Sequence, residues 1–502
     1  MRNYSNIKKM SNQVYKKMDS ISHIHKRPDM YVGTNKTKMV DEEIICIQNE
    51  NGGFQMKLQS NVKVNDGFLR IFLEALSNAI DNYVRSKGTK TPMTKIYIEL
   101  DKETGVTMIH NDGLHIPVKM HPEENMYIPE LIFGHLLSGS NYDDTQDRQT
   151  SGRNGLGIKL LNVFSEYFQI EILDPQEKKL YKQKWQRHMK KCNPPKITNF
   201  RAQDKKGYTK IIWKPDFSLF FQENGTVPME MYDDTHIELY RKFAMDAAMI
   251  TKIPVFWNGA KVHLKSLASY VDLFLNSFER KVQRVEGNYE NIEYVICERF
   301  MDSVSFVNGI FTKDGGIHLD KFANDFLKII CSKLPKLKIQ PKDIKQYFTF
   351  FINITVSNPE FSSQSKTKLV ATKSNLSCEF MNRQINAVLK WSFIKDIEET
   401  NKLRDMLTLK KSEKKRGFRK IDGLDPANYA GTKKSKDCVL ILCEGLSAKT
   451  YSTCGISKGF HGKSGRNWFG IYPLRGKCLN VRNASLSSIS QNKEINDVIQ
   501  AL

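Results

Sequence analysis

The sequence predicts an α+β protein of several domains, in which a mixed sheet backed by helices is followed by a second α/β unit. Three observations lead there. The 502 residues are too many for one hydrophobic core, so two to four domains are expected. Residues 67–87 carry the strongest helical periodicity in the chain, and short alternating segments of strand type recur on both sides of Leu264. A composition of 40% hydrophobic and 26% charged residues is that of a soluble globular chain.

In order, the arm to about Arg27 is polar and lysine-rich, and Arg27-Pro-Asp-Met-Tyr-Val-Gly33 turns the chain into the fold. Over residues 67–87, at about 100° per residue, Phe68, Phe72, Leu76, Ala79, Ile80 and Tyr83 fall on one side and Glu74, Asn78 and Asp81 on the other. Strands are expected at 94–100 and 106–109, the second running into a turn at Asn111-Asp-Gly113, and again at 208–213 and 255–257. Lys182, Lys184, Arg187, Lys190 and Lys191 form no helical stripe and read as a solvated basic face. The second unit starts near Leu264, has strands at 294–297 and 304–307, and ends in a helical stretch containing 380–397. Residues 409–436 open with Lys410-Lys-Ser-Glu-Lys-Lys-Arg416 and continue in Gly, Pro and Asn. They read as a linker whose basic cluster suits either nucleic acid or a nuclear-import signal. Residues 437–443 then read as a buried strand leading into Glu444-Gly445.

The charge is lopsided, 77 Lys+Arg against 55 Asp+Glu, a net +22. Such an excess suits a polyanion, with nucleic acid the leading candidate and a generically basic surface the alternative. Nine cysteines without a CxxC pair point to reduced thiols in an intracellular compartment, with neither zinc site nor disulfide framework. Residues 1–10 have no apolar core of a signal peptide. The longest apolar run, 347–356, is about half a membrane span and is broken by Thr and Asn.

Glu74 and Asn78 stand i and i+4 on one helix, placing a carboxylate, a candidate general base, beside a carboxamide oxygen, a candidate Mg²⁺ ligand. An ordinary solvated helix face carries such a pair too. Asn111 at the mouth of a sheet could read a base edge, although Asn-Asp-Gly is also a plain tight turn. Denser signals are Leu137-Ser-Gly-Ser-Asn-Tyr142 and Ser151-Gly-Arg-Asn-Gly-Leu-Gly-Ile-Lys-Leu160. The latter fits neither the P-loop, whose lysine directly follows the second glycine, nor the dinucleotide fingerprint, because Leu160 stands at the third glycine. Its glycines still let backbone N–H groups converge on an anion, Arg153 and Asn154 add donors, and a helix is expected from Ile158. A flexible surface loop is the other reading.

The order of these pieces resembles the GHKL ATPase family. Read with their flanks, Arg27 to Gly33, Glu74-Ala-Leu-Ser-Asn-Ala-Ile-Asp-Asn82, Ser140-Asn-Tyr-Asp-Asp144 and Gly152-Arg-Asn-Gly-Leu-Gly-Ile-Lys159 resemble the ATPase domain of type IIA DNA topoisomerases of the eukaryotic and large-virus style. The likeness extends through Ser305-Phe-Val-Asn308, Gly315-Gly-Ile-His318 and Ser363-Gln-Ser-Lys366 to Glu444-Gly-Leu-Ser-Ala-Lys449 and Pro473-Leu-Arg-Gly-Lys-Cys-Leu-Asn-Val-Arg482, covering nearly the whole chain.

That resemblance implies a GHKL (Bergerat) two-layer α/β sandwich with its N-terminal arm over 1–264. A ribosomal-S5-like α/β transducer over 265–405, a basic linker over 406–436 and a partial TOPRIM segment over 437–502 follow. It implies ATP and Mg²⁺ as cofactors, duplex DNA as partner and a homodimer formed on ATP binding. By the same resemblance Glu74 is the base that deprotonates the attacking water, and Asn78 holds Mg²⁺ on the phosphates. Asn111 lies at the adenine, and Ser140 and Asn141 at ribose and phosphate. Gly152, Arg153, Asn154, Gly155, Leu156, Gly157, Ile158 and Lys159 form the lid over the triphosphate. Gln364 and Lys366 reach the γ-phosphate from the transducer, and Tyr15 crosses to the partner's nucleotide. Lys333, Lys336 and Lys338 match a transducer loop facing captured DNA, or are an exposed charge run. Glu444 is the expected TOPRIM metal carboxylate.

Two departures stand out. His115 replaces the second glycine of the family's D-x-G-x-G turn, and Leu446 replaces the usual TOPRIM aspartate. After Glu444 the only acidic residues are Glu494 and Asp497, with no D-x-D pair and no winged-helix tyrosine. The chain is therefore expected to be the N-terminal portion of a larger enzyme, an ATPase whose cleavage and winged-helix region lies in the same or a separate chain. The nucleus or a viral cytoplasmic factory fits equally, and no membrane is expected. The alternatives are a clamp of another GHKL class, of mismatch-repair or chaperone type, and a passive basic nucleic-acid-binding module; the Glu444 to Arg482 segment argues against the first.

Overall fold

The computed structural model of the chain describes residues 17–138, 155–200, 206–276, 278, 281–337, 339–363, 366–400, 421–459, 462–463, 465–475 and 492–502. They fall into two units, one within Met1–Lys333 and Ile339–Leu389, the other within Leu334–Lys338 and Lys390–Leu502.

The first unit opens with α1 (Ser20–Lys26), capped by the Asp19 side chain on Ser22 N at 3.0 Å. A hairpin of β1 (Lys38–Gln48) and β2 (Phe54–Val64) follows, absent from the sequence reading although β2 alternates apolar and polar residues. The helix expected over 67–87 is α2 (Asp66–Ser86), started by Asn65, whose side chain accepts from Phe68 N at 3.1 Å. Its apolar residues Phe68, Phe72, Leu76 and Ala79 are buried as expected, and Phe72 stacks on Tyr240 with centroids 4.0 Å apart. Each of the two phenylalanines contributes about 1.5–3 kcal/mol by leaving water. The polar side differs from expectation: Asp81 is buried, and the Glu74 side chain is only 12% exposed. This is an enclosed polar wall, and the solvated-face reading falls away.

The main sheet runs β11-β10-β3-β4-β9-β5-β6-β7, with β8 paired to β6. Its strands are β3 (Ile96–Leu100), β4 (Thr107–Asp112), β5 (Ser165–Asp174), β6 (Lys179–Gln186), β7 (Lys191–Cys192), β8 (Lys196–Asn199), β9 (Tyr208–Pro215), β10 (Val255–Trp257) and β11 (Ala260–Val262). Pairing is antiparallel except for β10 on β3. Burial alternates along β9, along β6 from Leu180 and through the middle of β5, so one face is packed and the other open. Helices α2, α4 (Gly157–Val163) and α5 (Asp234–Thr251) pack together in the helical layer, and α3 (Ile128–Gly134) packs on α4. Asn111 and Asp112 close strand β4 instead of forming the expected turn, which begins at Gly113 with φ +99°.

After α6 (Leu267–Leu275) comes a five-stranded sheet, β12-β13-β16-β14-β15, built from β12 (Arg284–Tyr289), β13 (Ile292–Glu298), β14 (Val304–Val307), β15 (Ile310–Phe311) and β16 (Phe348–Ile354). The long apolar run is β16, buried because it lies in the middle of this sheet. Helix α7 (Ile317–Lys333), the short pair β17 (Glu360–Phe361) and β18 (Leu369–Ala371), and α8 (Asn382–Val388) complete the unit. The helical stretch expected over 380–397 is interrupted at 389–392. One hydrophobic core continues from Phe68 and Ile170 to Phe306 and Phe351, so the first unit's two sheets share it.

In the second unit β19 (Val439–Glu444) and β20 (Phe469–Leu474) pair in parallel around α9 (Gly445–Ser457), and α10 (Lys493–Ala501) follows. The strand is present as predicted, but it is not buried: Val439 and Leu442 are 44% and 46% exposed. Among the described residues the buried cluster beneath this strand pair is small, Cys443, Ile456, Phe469 and Ile471, and does not cover both faces. No helix among the described residues is long and apolar enough to cross a membrane.

Candidate nucleotide site

The site is assembled on α2. Glu74 and Asn78 lie one turn apart on it, both half-buried. Arg70, one turn earlier, places Nη2 2.5 Å from Glu74 Oε1, with both side chains 12% exposed. Charge pairs at i,i+4 in so enclosed a place are held far better than on a surface. Opposite stands the start of α4. A Cβ added to Gly157 would lie 1.9 Å from Glu74 Oε2, so only glycine lets the carboxylate approach the start of α4 this closely. The glycine of the loop and the carboxylate of the helix, 83 positions apart in sequence (157 minus 74), are thus in direct apposition.

From the second sheet's side comes Lys366, half-buried with φ +57°. Burial lowers its ammonium from the ordinary lysine range, while Glu74 and Asp81 oppose that shift and Arg70 adds to it. Lys366 is therefore within electrostatic reach of the Glu74 carboxylate. Its segment is held by backbone bonds from Asp314 N to Thr367 O at 2.9 Å and from Leu369 N to Gly315 O at 3.2 Å. Gly316 allows this docking: with φ +134°, its Cβ would lie 2.3 Å from Leu369 O. At the base of that turn the buried His318 sits 3.3 Å from Thr312 Oγ1, and burial lowers its imidazole to about 4.

Lys159 is buried at 3% exposure, with Nζ donating to Gly155 O at 2.8 Å and to Ser138 O. Burial lowers it to about 8. Leu156 is the N-cap of α4 and offers no side-chain acceptor, and Ile158 is buried in the core. Asn111 shares the packed sheet face with Ile109, its Nδ2 donating to Asp112 O at 3.2 Å. Asp112 is consumed structurally, accepting from Thr94 N at 2.7 Å and Lys95 N at 3.1 Å. His115 turns away to Asp174, Nε2 to Oδ1 3.0 Å, and packs on Gly207. Its replacement of glycine thus adds a strut between β5 and the β4 turn.

The structure brings together Glu74, Asn78, Gly157 and Lys366. Lys333 and Lys336 are exposed, and Glu444 is an exposed residue at the end of β19. Tyr15, Ser140, Asn141, Gly152, Arg153, Asn154, Lys338 and Gln364 lie outside the described residues. The sequence reading missed Arg70, which its spacing of four before Glu74 could have revealed. It also missed the use of Gly316 and His318 as supports for Lys366, for which no local signal exists.

Comparison with known proteins shows the family. A family model described as histidine kinase-, DNA gyrase B-, and HSP90-like ATPase matches residues 63–202, and one described as DNA gyrase B matches 266–420. The chain is 37% identical to DNA topoisomerase 2 of Invertebrate iridescent virus 6 over 97% of its own length and 44% of that protein. It is 35% identical to DNA topoisomerase 2 of Saccharomyces cerevisiae over 96% of its length and 34% of that protein. The chain thus spans less than half the length of these relatives. The solved ATPase region of Saccharomyces cerevisiae topoisomerase II superposes with a TM-score of 0.69 at 33% identity, covering 78% of this chain and 100% of that one. The ATPase and transducer domains of DNA topoisomerase II from Balamuthia mandrillaris superpose with a TM-score of 0.70 at 28% identity, covering 78% and 99%.

Proposed function

The chain belongs to the type IIA DNA topoisomerase family, and on that premise we propose that it is the ATP-operated gate of such an enzyme. ATP closes two copies around a duplex DNA segment, and Mg²⁺-dependent hydrolysis with product release reopens them. Residues 1–264 bind nucleotide, 265–405 relay its state, 406–436 link, and 437–502 begin a TOPRIM domain. DNA cleavage belongs to the remaining length of the relatives. The observation that carries the reading is that Lys366, on the loop between β17 and β18, stands within electrostatic reach of Glu74, because this couples the hydrolytic helix to the turn that follows the second sheet's β15.

In this reading Glu74, steadied by Arg70, takes the proton of the attacking water. Lys366 supplies positive charge where negative charge gathers on the γ-phosphate oxygens, in a site where positioning and electrostatics do most of the catalysis. Asn111 faces the adenine. The residues Gly155 to Lys159 enclose the phosphates, Lys159 bracing the loop through its carbonyl contacts. Outside the described residues, Ser140, Asn141, Gly152, Arg153, Asn154 and Gln364 contribute to the same pocket, and Tyr15 to that of the partner.

A Mg²⁺ ion fits one part of this site. No group of three His, Cys, Asp or Glu that could hold a metal occurs among the described residues, yet Mg²⁺ commonly keeps its waters and takes few protein ligands beside substrate phosphates. Asn78 Oδ1, next to the base and bonded to none of the described residues, suits that role. The ion would neutralise charge on the phosphates. Glu444 has no acidic companions among the described residues, so no step is assigned to a metal there.

The test is Glu74→Gln. ATP should still bind while turnover falls about 10²–10⁴-fold, the span of a lost general base. Undiminished hydrolysis would remove Glu74 from the mechanism, and a chain with no turnover with or without duplex DNA would leave only a passive binder.

A further inference from the structure

Helices cover one face of the nine-stranded sheet, and its other face is basic. Across the pairing register, Lys210, Lys182 and Lys196 fall in one row, Lys184 in the next, and Lys214 and Lys191 in a third. At about 4.8 Å between strands and about 6.8 Å between same-face residues, this is a patch about 14 Å on a side. Two of the lysines are neutralised, Lys182 by Glu171 at 2.6 Å and Lys214 by Glu166 at 2.9 Å. Lys184, Lys191, Lys196 and Lys210 make no ion pair among the described residues; Lys191 and Lys196 are exposed, and Lys184 and Lys210 are half-buried. Like charges collected on one open sheet face repel one another and gain nothing for the fold. They gain when a polyanion displaces its counterions onto them.

We infer that this face of the nucleotide-binding sheet is a docking surface for the phosphate backbone of duplex DNA, separate from Lys333 and Lys336. Charge complementarity selects the occupant, and the aromatic residues select its form. Tyr97 is stacked between Phe256 at 4.7 Å and His110 at 5.4 Å, and Lys184 Nζ caps the Tyr167 ring at 4.3 Å. Rings already engaged in this way are not free platforms for unstacked bases, so single strands gain little beyond charge. The inference rests on the proposed DNA partner but not on the hydrolytic assignments, since α2 lies across the sheet from these lysines.

The experiment measures binding of a fluorescent duplex to the full chain over a series of salt concentrations, for the wild type, for Lys184→Gln/Lys196→Gln/Lys210→Gln, and for Lys333→Gln/Lys336→Gln. The sheet-face variant should weaken binding at least tenfold at low salt and flatten the slope of log K against log salt by about three, near one per lysine removed. Its ATP turnover without DNA should equal that of the wild type. An unchanged slope in the sheet-face variant overturns the docking surface. If that variant is unchanged while Lys333→Gln/Lys336→Gln falls, DNA binding belongs to the transducer loop alone. A loss seen equally with a single strand or with heparin would show a general polyanion surface and overturn the duplex assignment. Loss of hydrolysis in Glu74→Gln is scored independently, so either idea can fail alone.

Discussion

At the scale of single residues, the site depends on an atom that is missing. Gly157 leaves room for Glu74 Oε2 where a Cβ would stand at 1.9 Å. Gly157→Ala must therefore push the carboxylate aside or shift the start of α4, and a displacement near 1 Å costs about 10²-fold in rate. The expected phenotype is retained nucleotide affinity with turnover lowered by that factor, measured by steady-state hydrolysis beside equilibrium ATP binding. Wild-type turnover would show that the carboxylate has slack. Arg70 presses on the same group from the other side, with Nη2 at 2.5 Å. Arg70→Ala should free the carboxylate to swing and lower kcat more than it raises KM. Arg70→Lys should recover part of the loss, because charge is kept while the planar fork is not. If Arg70→Ala instead raised KM alone, Arg70 would be a nucleotide ligand and not a positioning residue.

At the scale of elements, the loop that carries Lys366 is held by a turn with a buried histidine. Burial keeps His318 at about 4, against 6.5 for a free imidazole. Between those values the unfolded chain binds a proton that the folded chain excludes. The stability contribution is therefore complete above pH 6.5 and is lost as pH falls through the window, by about 1.4 kcal/mol per pH unit. Thermal midpoints at pH 7 and 5 should differ more for the wild type than for His318→Gln, and equal differences would take His318 out of the balance. Elements with a strong period were legible in the sequence: α2, β10 and β14 stand within a residue or so of their expected places. The β1–β2 hairpin was only half legible: β2 alternates clearly, whereas β1 runs Asp41-Glu-Glu43 straight into Ile44-Ile-Cys-Ile47. Glu74, Asn78 and the glycine loop were legible because helix spacing and glycine density act locally. The docking of Gly316 against Leu369 was not, because its partner lies 53 residues on, the difference of 369 and 316. Neither was the exposure of β19, since an apolar strand reads as buried whatever covers it.

At the scale of the first unit, the nucleotide-binding sheet and the second sheet meet over a buried ion pair. Lys242 and Asp246 on α5 are 2.7 Å apart with side chains 1% and 7% exposed, and Tyr270 of α6 donates to Asp246 at 2.7 Å. The Lys242 ammonium lies 3.4 Å from the centroid of the Phe311 ring on β15. Burial raises the Asp246 carboxyl, and Lys242 opposes it. Desolvation offsets most of the attraction in such a pair, so its main effect is to accept only one arrangement of α5, α6 and β15. Removing one partner is then far worse than removing all three. Lys242→Met leaves a buried carboxylate alone and should lower stability by about 3–5 kcal/mol, whereas Lys242→Met/Asp246→Leu/Tyr270→Phe should lie near the wild type or above it. Denaturant unfolding checks both. If the triple variant were as unstable as the single one, the pair would stabilise the fold outright. If the triple variant is stable but hydrolyses ATP without the dependence on Lys366 seen in the wild type, the ion pair serves to seat the second sheet where its lysine reaches Glu74. That outcome follows from the geometry, because the β17–β18 loop bearing Lys366 is bonded to the Asp314–Gly316 turn that follows β15, the strand Phe311 anchors to α5.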